Sequence, residues 1–118
     1  MTRKLDSQSI LLVYGEFDLF VVQLQAALDG EGAESVIART PADAVTQLKR
    51  FDFDAVLINY TPGFDAEHHA LLRALGGVPA LLICTASPPV TFLTALPVLV
   101  KPVAAHAVVV ALARLRRP

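Results

Sequence analysis

Short apolar runs alternate with longer stretches of helical period along this chain. The runs are Ile10–Tyr14, Ser35–Ala38, Ala55–Asn59, Ala80–Cys84 and Val98–Val100. All but the second are nearly continuous Val, Ile, Leu and Ala, the pattern of strands buried on both faces of a parallel sheet. Between the first two, Phe17, Phe20, Val21, Leu24 and Leu28 form an apolar helical stripe, with Asp18, Gln25 and Asp29 opposite. Gly30 or Gly32 closes that helix. Thr40-Pro41-Ala42-Asp43 reads as an N-cap, a proline at the first helical position and an acid in the first turn, opening a helix that packs Ala44, Val45 and Leu48. Phe64, His68, Leu71, Leu72 and Leu75 share a third stripe that ends at Gly76-Gly77. A last helix is expected over 103–116.

Strand–helix alternation of this kind gives right-handed crossovers and an α/β sandwich. With five strands and a short second one at the edge, the expected fold is a flavodoxin-like, doubly wound five-stranded parallel sheet of order 2-1-3-4-5. Its functional crevice lies at the carboxyl ends of strands 1 and 3, which places Tyr14-Gly15-Glu16 and Asn59-Tyr60-Thr61 there. Only fifteen residues separate Thr85 from Lys101, and three are prolines. They must supply a loop, a helix and the fifth strand, so the fourth helix is expected to be short or missing.

The chain has 118 residues and fits a single domain over 9–117 behind a polar tail at 1–8. Hydrophobic residues make up 54% and charged residues 18%, which excludes disorder and leaves apolar surface to be covered. The net charge of −1 gives no field for nucleic acid or acidic lipid. No charge occurs from Ala74 to Val100, and Lys101, Arg114, Arg116 and Arg117 follow; cations suit the end of a helix. Pro79, Pro88, Pro89 and Pro97 break the uncharged stretch into pieces too short for a membrane span. The polar start has no apolar segment behind it, so no signal peptide is expected and the location is read as cytoplasmic. The lone Cys84 excludes an internal disulfide and is expected to be a buried thiol.

The segment Phe53-Asp54-Ala55-Val56-Leu57-Ile58-Asn59, followed by Thr61-Pro62-Gly63, resembles strand 3 and the next loop of response-regulator (CheY-like) receiver domains. Thr85-Ala86 resembles that family's Thr/Ser-Ala after strand 4, and Val100-Lys101-Pro102 its Lys-Pro after strand 5. The resemblance runs from about Ser9 to Arg117, and the order of the motifs at strand ends is what makes the set specific.

The departures from the pattern concern the chemistry. A receiver takes a phosphoryl group on an aspartate, with Mg²⁺ held by acids after strand 1 neutralising the developing charge. Here the acceptor position is Asn59, and a carboxamide is a far weaker nucleophile than a carboxylate. Tyr14 and Gly15 replace the acidic pair, leaving Glu16 nearby, and the loop after Asn59 is one residue short. The resemblance therefore implies a degenerate pseudo-receiver with a vestigial site of Tyr14, Gly15, Glu16, Asn59, Thr85 and Lys101. Lys101 is expected to hydrogen-bond Asn59 or a strand-end carbonyl, or to survive for the turn into the last helix. The family's aromatic switch position, three before that lysine, is Val98.

Other constellations are weaker. His68 and His69 are adjacent on a helix and point about 100° apart, so they form no chelate, and no acid or Cys joins them at ligand spacing. No phosphate-loop, dinucleotide or hydrolase motif occurs. No metal, cofactor or catalytic residue is expected.

The last helix is apolar on two sides: Val103, His106, Val109, Leu112 and Leu115 can face the sheet, while Ala107, Val110 and Ala111 lie elsewhere. Such a helix needs a second partner. The expected function is a phosphorylation-independent signalling module that docks through Val98, Ala107, Val110 and Ala111 on a partner such as a histidine kinase, or on a second copy. The alternatives are a small molecule held in the altered crevice, with Tyr14 and Tyr60 as stacking surfaces, and a residual Mg²⁺-dependent phosphoryl acceptor.

Overall fold

Five runs of aliphatic residues pair in parallel to make one sheet. In chain order they are β1 (Ser9–Val13), β2 (Glu34–Ala38), β3 (Ala55–Asn59), β4 (Ala80–Cys84) and β5 (Val98–Val100). The helices are α1 (Leu19–Gly30), α2 (Pro41–Arg50), α3 (Asp65–Ala74) and α4 (Ala105–Arg114). This computed structural model describes residues 5, 7–15, 18–60, 63–84, 96–101 and 103–115. The expected short fourth helix falls within 85–95, which lies outside them.

The strand order is β2-β1-β3-β4-β5, the expected doubly wound flavodoxin-like arrangement. The three central strands are almost wholly buried, because helices cover both faces of a parallel sheet. Strand β2 alternates exposed and half-buried residues before Ala38, as an edge strand does, and β5 leaves Val100 half exposed at the other edge. The first strand lies one residue earlier than its apolar run, yet Tyr14 N still donates to Ala38 O at 2.9 Å, extending the ladder.

Side chains alternate across the sheet and divide the core in two. Leu11, Val13, Val56, Ile58 and Leu82 pack under α2 and α3 with Ala44 and Leu71. Ile10, Leu12, Leu57, Leu81 and Ile83 pack under α1 and α4 with Leu24, Leu28, Val108 and Leu112. The helices also pair with each other, α2 on α3 and α1 on α4.

Helix α2 starts as its sequence requires: Thr40 is extended and its Oγ1 accepts from Asp43 N at 3.0 Å, with Pro41 where no donor is needed. Helix α3 ends in a turn whose Gly76 and Gly77 adopt φ of 58° and 94°, angles a side chain tolerates poorly. Helix α1 differs from its expected phase. Asp18 is not on its polar face but is its N-cap, accepting from Val21 N at 3.0 Å.

Helix α4 is shorter than expected, and of the five residues expected to face the sheet Val103, Val109, Leu112 and Leu115 pack on the α1/α4 core while His106 does not. Val108, Val109 and Leu112 are buried and His106 is exposed, because the larger aliphatic side chains settle against α1 and leave the imidazole in solvent. Among the described residues no helix is long and apolar enough to cross a membrane.

Candidate functional site

Tyr14 follows the last residue of β1, and its position two beyond Leu12 turns its ring toward the α1/α4 side. The ring is buried at 2% exposure, and its hydroxyl donates to Asp18 Oδ2 at 3.0 Å. Lys101, just after β5, donates through Nζ to the same hydroxyl at 3.1 Å. Its ammonium also stands 4.9 Å from the Tyr14 ring centre and 5.9 Å from that of Phe20, within reach of cation–π attraction. The lysine backbone continues the sheet, N donating to Cys84 O at 2.8 Å.

A cation, a phenol and a carboxylate are thus joined in series. The Val21 N–H first, and then the Tyr14 hydroxyl and the Lys101 charge, hold the Asp18 carboxyl below the usual aspartate value, against an opposing effect of burial.

Among the described residues the Lys101 ammonium therefore meets the Tyr14 hydroxyl, and neither the Asn59 side chain nor a strand-end carbonyl. The tyrosine hydroxyl intercepts it because Tyr14 projects beyond the end of β1 where a shorter acid would leave space. Asn59 itself is 9% exposed, and its Oδ1 is buried with no hydrogen-bond partner among the described residues. Gly15 is open to solvent on one side, but a β-carbon there would lie 3.2 Å from Arg39 O. Two of the positions expected to form a vestigial site, Glu16 and Thr85, lie outside the described residues. Of the rest, Tyr14 and Lys101 are in contact, while Gly15 and Asn59 belong to a different feature.

That feature is a cavity of about 420 Å³ between the start of α2 and the start of α3, at the carboxyl ends of β1 and β3. Val13, Pro41, Ala42, Asn59, Phe64 and His68 line it, and the exposed Arg39 and Glu67 flank them. Its lining is mostly apolar. Neither expected stacking surface belongs to it. Tyr60 is buried, donates its hydroxyl to Asp65 Oδ1 at 2.9 Å and packs on the His68 ring at 5.2 Å between centres. Burial first, and the neighbouring carboxylate second, push the Tyr60 hydroxyl above the ordinary tyrosine value.

Sequence reasoning overlooked Asp18 as a partner of Tyr14, although its place just ahead of an apolar helical stripe is an N-cap signature. Arg39 and Glu67 carried no local signal, since only the packing of α2 on α3 brings them to one opening. Among the described residues no three His, Cys, Asp or Glu side chains gather to hold a metal ion. A phenol, a glycine and a carboxamide are a poor donor set for Mg²⁺, which takes carboxylate ligands.

The residues expected to form a docking surface are spread over different environments. Ala107 is exposed and Val110 half-buried; Ala111 is also half-buried and packs on the α1/α4 core. Val98 packs partly on the opposite core. Val100, 51% exposed, adds the largest open apolar side chain of β5.

No protein-family model matches the chain, and no curated protein does. Solved structures do. The chemotaxis protein CheY4 of Vibrio cholerae superposes with a TM-score of 0.76 at 18% identity, over 93% of this chain and 99% of that one. The receiver domain of the Francisella response regulator 1452 gives 0.74 at 10% identity, over 90% and 93%. The receiver domain of the hybrid histidine kinase CckA gives 0.67 at 19% identity, over 87% and 94%. The chain has the fold of a CheY-like response-regulator receiver domain.

Proposed function

We propose that this domain is a phosphorylation-independent pseudo-receiver of a two-component-type system, working by protein contact and without catalysis. The observation that carries this reading is the fate of Lys101. Its ammonium is engaged by the Tyr14 hydroxyl, which in turn is held by Asp18, and the acceptor position presents a carboxamide. Transfer of a phosphoryl group needs an anionic nucleophile, a divalent cation and a free positive charge for the transferred oxygens. This reading is supported by the carboxamide at position 59, by the lack of a metal-holding cluster among the described residues and by the engagement of Lys101.

The docking face of this reading runs along β5 and α4, where Val100, Ala107 and Val110 leave apolar surface at the edge of the sheet. Among the described residues β5 is an edge strand of the sheet, and an apolar edge is a surface that another protein can cover. The partner is a signalling protein, a histidine kinase being the first kind to try, or a second copy of this chain. The same fold in receiver domains of a response regulator and a hybrid kinase supports the signalling context. Capture from native cell extract on immobilised wild type and Val110→Glu tests it. The reading expects a kinase or regulator retained by the wild type and lost from the variant; identical retention by both contradicts the proposed face.

A second reading, in which the altered crevice holds a small molecule, is favoured by the cavity beside Asn59.

A further inference from the structure

The cavity between α2 and α3 combines three features that packing alone does not require. Its volume of about 420 Å³ falls within the range of about 300–1,000 Å³ typical of small-molecule sites. It is built on rigid elements, with Val13 at the end of β1, Pro41 at the start of α2, and Phe64 and His68 one turn apart at the start of α3. And Asn59, which lines it, keeps a buried acceptor without a partner among the described residues. An unsatisfied buried carbonyl is uncommon and costly, because it has left water without gaining a donor. A ligand carrying that donor removes the cost, and the soft terminal torsion of the carboxamide lets the oxygen turn to meet it.

The rest of the lining narrows the chemistry. Phe64 and His68 present two aromatic side chains on one helix face, and Val13, Pro41 and Ala42 are apolar, which favours a flat ring system over a flexible polar molecule. Arg39 and Glu67 have opposite charges and are both exposed, so their fields offset and neither sign of ligand charge is selected. A charged ligand would lose its hydration against apolar walls without a buried counter-ion.

We propose that the α2–α3 cavity is a binding site for a small uncharged aromatic molecule with one N–H or O–H donor, taken up by the carboxamide of Asn59. The site rests on the reading of Asn59 as a side chain outside phosphoryl chemistry. Here the substitution that ends receiver chemistry supplies an acceptor in its place.

Three bicyclic probes test the assignment, each beside a partner whose donor is methylated: indole with 1-methylindole, benzimidazole with 1-methylbenzimidazole, and 2-naphthol with 2-methoxynaphthalene. Binding is followed by amide chemical shifts of the isotope-labelled wild type, without Mg²⁺ or phosphodonor. At least one donor probe should saturate shifts at residues 39–42, 59 and 64–68, with its methylated partner about 5- to 100-fold weaker, the range expected for one buried hydrogen bond. Asn59→Leu should equalise the two members of that pair. Ala42→Phe, at an exposed position on the cavity lining, should block all probes while leaving the circular dichroism spectrum unchanged. Saturation by no probe, shifts elsewhere, equal affinity of the paired probes for the wild type, or tighter binding of benzoate would overturn the assignment. None of these results bears on whether the wild type accepts a phosphoryl group, so the two readings fail separately.

Discussion

Lys101 and Tyr14 meet across the head of the sheet, 87 residues apart in the chain, with the lysine Nζ 3.1 Å from the phenolic oxygen. The tyrosine passes that contact on to Asp18, 3.0 Å from the same hydroxyl. The lysine of a receiver-like fold thereby finds its counter-charge at the cap of α1, through a phenol.

Tyr14→Phe keeps the ring and removes the bridge. It should lower stability by about 0.5–1.5 kcal/mol, the net worth of hydrogen bonds between part-buried groups, read as a lower urea midpoint. In a double-mutant cycle with Lys101→Met, the two changes should couple by at least about 0.5 kcal/mol. Strict additivity would show that the contact is incidental.

The bounds of β3, β4 and β5 and the cap at Thr40 were legible because they depend on local pattern: apolar runs between breakers, and a hydroxyl three residues before an acid. The partner of Lys101 was not. Asn59 and Tyr14 both stand at strand ends, and which of them meets the ammonium depends on packing between segments far apart in the chain. Helix α4 shows the same limit at one position: Val103, Val109, Leu112 and Leu115 pack inward as their spacing suggests, but the burial of Val108 in place of His106 depended on packing against the rest of the core. The cavity was invisible for a related reason, since its walls come from four elements that meet only after folding.

Asp18 both caps α1 and carries the charge opposite Lys101. Because its folded-state value lies below the ordinary 3.8, its ionisation stabilises the fold above that pH, and the contribution is lost as pH falls through the depressed value. Asp18→Asn keeps a good cap without the charge. The stability gap between wild type and variant should therefore be widest near neutrality and narrow as the solution is acidified below about 4, in denaturation curves taken at several pH values. A gap that widens in acid would reverse the sign and refute the assignment.

Tyr60 behaves oppositely. Its hydroxyl titrates above the ordinary 10.0, so the protonated form belongs to the folded state. Stability is intact below that pH and declines as pH rises through the elevated value. Tyr60→Phe should flatten the alkaline decline. Phenolate absorbance of the wild type should show one tyrosine ionising later than a free tyrosine.

Two glycines should respond in opposite senses to alanine. Gly77 sits at φ 94°, and Gly77→Ala should cost about 1 kcal/mol or more. Gly30 ends α1 with nothing within 4 Å of the point where an added β-carbon would stand, and Gly30→Ala should raise stability by about 0.4–1 kcal/mol. Thermal melting distinguishes the two directly.

Position 59 and its surroundings should be silent toward a phosphoryl donor. Purified wild type incubated with acetyl phosphate and Mg²⁺, then weighed intact by mass spectrometry, tests this most directly. The mass should stay unchanged, and the same should hold for Asn59→Asp, because Tyr14 still occupies Lys101. A Mg²⁺-dependent gain of one phosphoryl group on the wild type would contradict it.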